Sequence, residues 1–212
     1  MIWEHWLLTP QRVAVDLQRA VAVVADLHLG YDRVRRRGGE AIPMPSVADE
    51  LIPLAHVVHQ HAVREIVVAG DLFEDGRHAR AEMEEQLLAW ATEHGVHWRV
   101  VPGNHDRGLA NSRLEVVARI SIDDWHIVHG DGPATLDGKI IQGHEHPCLR
   151  LRPGVEGPCY LLSDAQVILP AYSANAAGVN VLTQPRWRRH RVAVIAGDTV
   201  LDFGPLGDLS GR

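Results

Sequence analysis

Five short strings set aspartate, asparagine and histidine side chains beside glycines: Asp26-Leu-His28, Gly70-Asp71, Gly103-Asn104-His105-Asp106, His129-Gly130 and Gly143-His144-Glu145-His146. Carboxylate and amide oxygens combined with imidazole nitrogens suit Mn²⁺, Fe or Zn²⁺ better than the oxygen-rich cages of Ca²⁺. A carboxylate in such a set can bridge two ions about 4 Å apart. The pair then activates a hydroxide and neutralises phosphoryl oxygens during in-line displacement, with no covalent enzyme intermediate. Taken singly, an Asp-x-His or a Gly-Asp is ordinary loop chemistry. The ordered set is what chance explains poorly.

Each string follows an apolar run of strand length. AVAVVA (20–25) precedes Asp26, EIVVA (65–69) precedes Asp71 and WRVV (98–101) precedes the Asn104 string. WHIVH (125–129) ends on His129, and KIIQ (139–142) leads into His144. Several of these runs lack polar alternation, which predicts buried strands of a layered α/β fold. In parallel-type sheets the carboxyl ends of strands converge on one crevice, so the five strings are expected to share a pocket. RVAVDLQ (12–18) reads as an alternating strand, and YLLS, QVIL, RVAVIA and TVLDF make the C-terminal third strand-rich. Val47, Leu51, Leu54 and Val58 have helical spacing between Ser46 and Ala62, with Ser46 and Asp49 as a capping box and Pro53 predicting a kink or a later start. A second helix is expected over Arg80–His94, closed by Gly95.

Composition narrows the partners. At 212 residues, with 46% hydrophobic and 23% charged residues, the chain is expected to form one soluble domain. No apolar stretch approaches membrane-spanning length, and MIWEHWLLTPQR lacks the basic and apolar regions of a secretory signal, so no membrane association and a cytoplasmic location are expected. Cys148 and Cys159 are too few for a disulfide scaffold and are expected to be reduced. A net charge of −6 argues against a broad basic surface, leaving two local arginine clusters, 33–37 and 186–191, as solvated faces or nucleic-acid footprints. Lys139 is the single lysine, so nearly all positive charge is arginine, which suits bidentate phosphate contacts.

The order Asp-x-His, Gly-Asp, Gly-Asn-His-Asp, His-Gly, Gly-His-x-His resembles the calcineurin-like metallophosphoesterases over residues 26–146. The resemblance implies a sandwich of two mixed β-sheets flanked by helices, and two adjacent divalent metals, manganese first, with iron or zinc as alternatives. Carried over residue by residue, it assigns Asp26, His28 and His146 to the first metal, Asn104, His129 and His144 to the second, and Asp71 to the bridge. His105 would face the phosphate, to donate a proton to the leaving oxygen or to stabilise transition-state charge, with Asp106 orienting and electrostatically supporting it. The segments Ala25–Tyr31, Gly39–Pro43 and Leu169–Ser173 with Gly178 look like the small nuclease-related branch, which includes relatives of the SbcD nucleases and the phosphoesterases associated with bacterial DNA ligases. That likeness implies a phosphodiester substrate, with DNA and a DNA-repair protein as candidate partners. The chain runs 66 residues beyond His146, short for the DNA-contacting domain of the larger nucleases.

Two other readings stand beside this one, a phosphomonoesterase acting on nucleotides or phosphoproteins and a protein-binding scaffold that has kept the fold. The nine histidines outside the strings, among them His59, His78, His94 and His190, are read as structural or surface residues. Arg107, next to the Asn104 string, is a candidate phosphate contact or a surface ion-pair partner, and Trp187 stands out for lying among arginines.

Overall fold

The computed structural model describes residues 1–74, 80–132 and 137–209; His78 lies outside them. The first sheet contains β1 (Ile2–Trp3), β2 (Trp6–Leu8), β3 (Ala14–Asp16), β4 (Val21–Val24), β5 (Glu65–Ala69), β6 (His97–Val101) and β7 (Glu115–Val116), adjacent in chain order. Pairing is antiparallel up to β4 and parallel from β4 to β7. The crossover from β4 to β5 carries α1 (Tyr31–Arg37), α2 (Val47–Glu50) and α3 (Ile52–His61), and α4 (Arg80–His94) lies between β5 and β6.

The second sheet is built from β8 (Ile120–Ile122), β9 (Trp125–Val128), β10 (Lys139–Gln142), β11 (Pro147–Arg152), β12 (Val155–Ser163), β13 (Gln166–Ile168), β14 (Val179–Asn180), β15 (Arg191–Ala196) and β16 (Thr199–Pro205), followed by α5 (Leu206–Leu209). At its centre β9, β10 and β13 run parallel. The other strands are antiparallel, apart from a short parallel pair of β11 with β14.

Alternation along the buried strands sorts side chains into three cores. Val21, Val23 and Val67 face the second sheet, where they meet Ile127, Ile141, Tyr160 and Leu162. Ala22, Val24, Ile66 and Val68 face the helices and meet Leu54, Val57, Leu87 and Trp90. Cys159 and Leu161 point to the outer side of the second sheet, against Trp187, Leu206 and Leu209. A strand buried on both faces must be apolar at every position, which is why AVAVVA and EIVVA carry no polar alternation. Each such valine contributes roughly 1.5–3 kcal/mol by leaving water. The architecture is therefore the expected α/β arrangement of two mixed sheets flanked by helices.

The expected helix over 46–62 is two helices. Ser46 and Asp49 form the capping box of α2, and α3 restarts at Leu51 with Pro53 in its first turn, where its missing N–H removes no helical hydrogen bond. Gly95 takes φ +65° after α4, as a left-handed cap requires. Helix α1 carries no apolar periodicity and none of its residues is buried, so it is legible only in the structure. Both cysteines are free thiols. Among the described residues no helix is long and apolar enough to cross a membrane.

Candidate metal centre

The five strings meet where the carboxyl ends of the parallel strands of both sheets come together. Asp26 leaves β4, Asp71 leaves β5 and Asn104 and His105 leave β6, while His129 follows β9 and His144 and His146 follow β10. Backbone hydrogen bonds lace these ends to one another: Asp26 N–H donates to Gly70 O at 3.0 Å, His28 N–H to Asp71 O at 2.9 Å and Gly143 N–H to His129 O at 3.1 Å. Tyr172 and Ser173 donate their N–H groups to the carbonyls of Ala25 and Asp26, and Arg12 holds that loop by donating to the carbonyls of Ala171, Tyr172 and Ser173 at 3.0–3.2 Å.

Backbone strain concentrates here. Asp26, His28, Asp71, His144 and His146 all adopt positive φ, between 44° and 68°, a region that costs most side chains energy and recurs at functional sites. Two glycines permit the close packing. A Cβ on Gly70 would lie 2.0 Å from His129 Nδ1, and one on Gly103 would lie 2.1 Å from Asp71 Oδ1.

The donor atoms fall into overlapping groups. Asp26, His28 and His146 offer atoms within 4.8 Å of one another, and so do Asp71, His129 and His144. His129 Nε2 is 3.1 Å from both Asn104 Oδ1 and His144 Nδ1 and 3.4 Å from Asp71 Oδ2. Tetrahedral ligands at about 2.1 Å from an ion stand about 3.4 Å apart, so these separations match a coordination shell. Asp71 Oδ2 also lies 4.0 Å from His28 Nε2, which places one oxygen between the two groups. His28 Nε2 is buried with no hydrogen-bond partner among the described residues, an orphan that a metal would satisfy. The residues present therefore fit divalent metal binding.

Charge tuning reflects the same proximity. Burial pushes the Asp71 carboxyl up, but the His129 ring, the His105 backbone N–H and the nearby imidazolium charge outweigh it and hold the group down at about 2. Burial depresses the His129 ring, yet the hydrogen bond and charge of Asp71, with the Ala69 carbonyl, raise it to about 9. His146 is likewise raised against its burial, by Asp26. Ionised carboxylates are the form in which they hold a metal, whereas the raised imidazoles would have to release their protons as it binds.

Asp106 departs from the role expected of it. Its buried carboxylate accepts from the backbone N–H groups of Leu72, Phe73 and Gly103 at 2.9–3.2 Å, so it ties the Asp71 loop to the Asn104 loop instead of orienting His105. A carboxylate has about four acceptor positions, and the three filled here all take backbone N–H groups and no imidazole. The carboxylate at the imidazoles is Glu74, whose Oε2 is 2.7 Å from His28 Nδ1 and 3.5 Å from His105 Nδ1. The hydrogen bond from His28 lowers the Glu74 carboxyl most, against its partial burial, and the charges of His28 and His105 add to the effect. In the sequence Glu74 carries one signal of a site role, its position three residues after Asp71.

The remaining expectations sort simply. Arg107 is exposed, and its carbonyl accepts from Arg80 at 3.0 Å. His59 pairs with His94, His97 with Glu115 and His190 with Gln166, all away from the centre.

A family model for calcineurin-like phosphoesterases matches residues 20–150. No curated protein sequence matches the chain. Among solved structures, the nuclease MPE of Pseudomonas putida is similar with a TM-score of 0.73, over 93% of this chain and 94% of that one, at 20% identity. An identity that low carries the fold and leaves the substrate to the site's own chemistry.

Proposed function

The chain belongs to the calcineurin-like phosphoesterase family, and from that premise we propose that it is a phosphodiesterase using two divalent metals, manganese foremost, with a nucleic acid or nucleotide as substrate. The observation that carries the reading is Asp71 Oδ2, which faces His28 Nε2 on one side and His129 Nε2 on the other. Asp26, His28 and His146 would hold one ion, Asn104, His129 and His144 the other, and Asp71 both. Ions bound there supply Lewis acidity toward the phosphoryl group and its attacking water.

The protein's own groups account for the rest. His105 is exposed at the rim, with Nδ1 toward Glu74. With Nδ1–H held toward Glu74, the cationic ring carries its second proton on Nε2 and would deliver that one to the leaving oxygen, ending as the neutral ring protonated on Nδ1. Glu74 also orients His28, fixing the tautomer that leaves Nε2 free toward Asp71. Asp106 acts through the backbone, keeping the loops that bear Asp71 and His105 in register.

A diester is favoured over a monoester because Asn104, His105 and His144 are exposed, so the centre is open on the side where a second ester substituent would project. The nuclease with the same fold favours a nucleic-acid diester. The test is hydrolysis of bis-p-nitrophenyl phosphate by metal-stripped protein titrated with Mn²⁺, beside p-nitrophenyl phosphate. Metal-dependent turnover of the diester with little of the monoester supports the reading; the reverse preference transfers it to a phosphomonoesterase, and silence on both with metal bound favours the scaffold.

A further inference from the structure

The loop between β10 and β11 carries a candidate ligand to each metal group. His144 sits with Asp71 and His129, and His146 with Asp26 and His28. The two histidines adopt φ of 68° and 44°, so Glu145 lies between two left-handed residues. Backbone of that kind persists only where its surroundings over-determine it. The loop's ends are held. His144 N–H donates to the two Asp26 carboxylate oxygens at 2.9 and 3.1 Å, and the His146 carbonyl accepts from Val179 N–H at 2.9 Å. Between them Glu145 N–H donates to Gly143 O at 2.8 Å, which makes the turn tight.

The middle of the loop is held by its side chain. Arg186 Nη2 donates to Glu145 Oε2 at 2.6 Å, across 41 residues of sequence. Arg186 is itself held. Its guanidinium lies 4.5 Å from the centre of the Trp187 ring, and Trp187 is buried with Leu149, Leu161 and Val192 in the outer core of the second sheet. The turn that carries both residues is closed by Trp187 N–H on Gln184 O at 3.1 Å and by His190 N–H on Trp187 O at 2.8 Å. Most exposed ion pairs contribute little, because two long side chains must be ordered to form them. Here a fixed indole has already ordered the arginine, and the Glu145 carboxylate is mostly shielded from water.

Resting on the two-metal assignment and on no particular substrate, we propose that Arg186 is a positioning residue of the metal centre. Through Glu145 it holds the loop in the conformation that presents His144 to one ion and His146 to the other. The outer core of the second sheet thereby reaches the donors of both ions through one contact. Charge alone predicts the opposite effect. An arginine near the centre repels cations, so removing it would tighten metal binding if charge were its whole role. Removing a positioning arginine weakens binding, and the sign separates the two.

The experiment is isothermal titration of Mn²⁺ into the metal-stripped full-length chain. The unsubstituted protein is compared with Arg186→Gln, Arg186→Lys, Glu145→Gln and the double variant Glu145→Gln/Arg186→Gln, after circular dichroism has checked that each is folded. Arg186→Gln is expected to weaken the binding of both ions about 10-fold, the low end for groups that orient metal ligands from behind. Arg186→Lys keeps the charge without the fork and recovers part of the loss. The double variant binds no more weakly than Glu145→Gln, because the two residues act through one contact. Unchanged or tighter binding by Arg186→Gln would overturn the proposal, as would a loss confined to one ion. An unsubstituted chain that takes up no Mn²⁺ sinks the metal reading and this proposal with it. Two ions held equally well by the unsubstituted chain and by Arg186→Gln sink the proposal alone.

Discussion

Glu74 Oε2 stands 2.7 Å from His28 Nδ1, at the other end of the imidazole from the nitrogen that faces Asp71. The same oxygen lies 3.5 Å from His105 Nδ1. One carboxylate thus orients a candidate metal ligand and the candidate proton donor together.

Substitution Glu74→Gln should weaken both. Losing the carboxylate behind a ligating histidine typically costs about 10–100-fold in metal affinity or activity. Isothermal titration with Mn²⁺ and turnover at saturating metal separate the two effects. Unchanged metal affinity would leave Glu74 a partner of His105 alone.

His105→Ala is expected to bind metal normally and to lose turnover by about 10²–10⁴-fold. The loss should shrink for a diester whose leaving group needs no proton. A uniform loss across leaving groups would remove the proton-donor role.

Asp71→Ala removes the oxygen common to both donor groups, so the purified variant should hold less than half the metal of the unsubstituted chain by elemental analysis. It also strips His129 of its buried carboxylate partner, so the ring should titrate well below the value of about 9 it has in the metal-free chain. Full metal content would refute the bridge.

Glu50 predicts a pH dependence that needs no metal. Burial first, then the charge of Asp32, push its carboxyl up from 4.5 to about 7. The folded chain therefore holds this proton more tightly than the unfolded chain, and stability from this group falls as pH rises through that window. Glu50→Gln should raise the melting temperature at about pH 8, by no more than about 3 kcal/mol of stability, and change little at about pH 4. A stabilisation independent of pH would show that the carboxyl is not raised.

What the sequence determined by itself is local: buried runs such as AVAVVA and EIVVA, each ending in its own string of donors, and the capping box of Ser46 with Asp49. Those features follow from neighbours in the chain, where periodicity and turn chemistry act. Helix α1 escaped because YDRVRRR has no apolar face to reveal it, and Glu74 escaped because a glutamate on a turn looks like any solvated acid. Two of the three backbone groups that donate to Asp106, those of Leu72 and Phe73, lie more than thirty residues away, and Asp26 meets the backbone of His144 across 118 residues. Only tertiary structure decides which donors face one another, because strand order and the twist of two sheets set those distances. The adjacent histidine suggested an orienting role for Asp106; folding instead surrounded its carboxylate with backbone N–H groups and gave that place to Glu74.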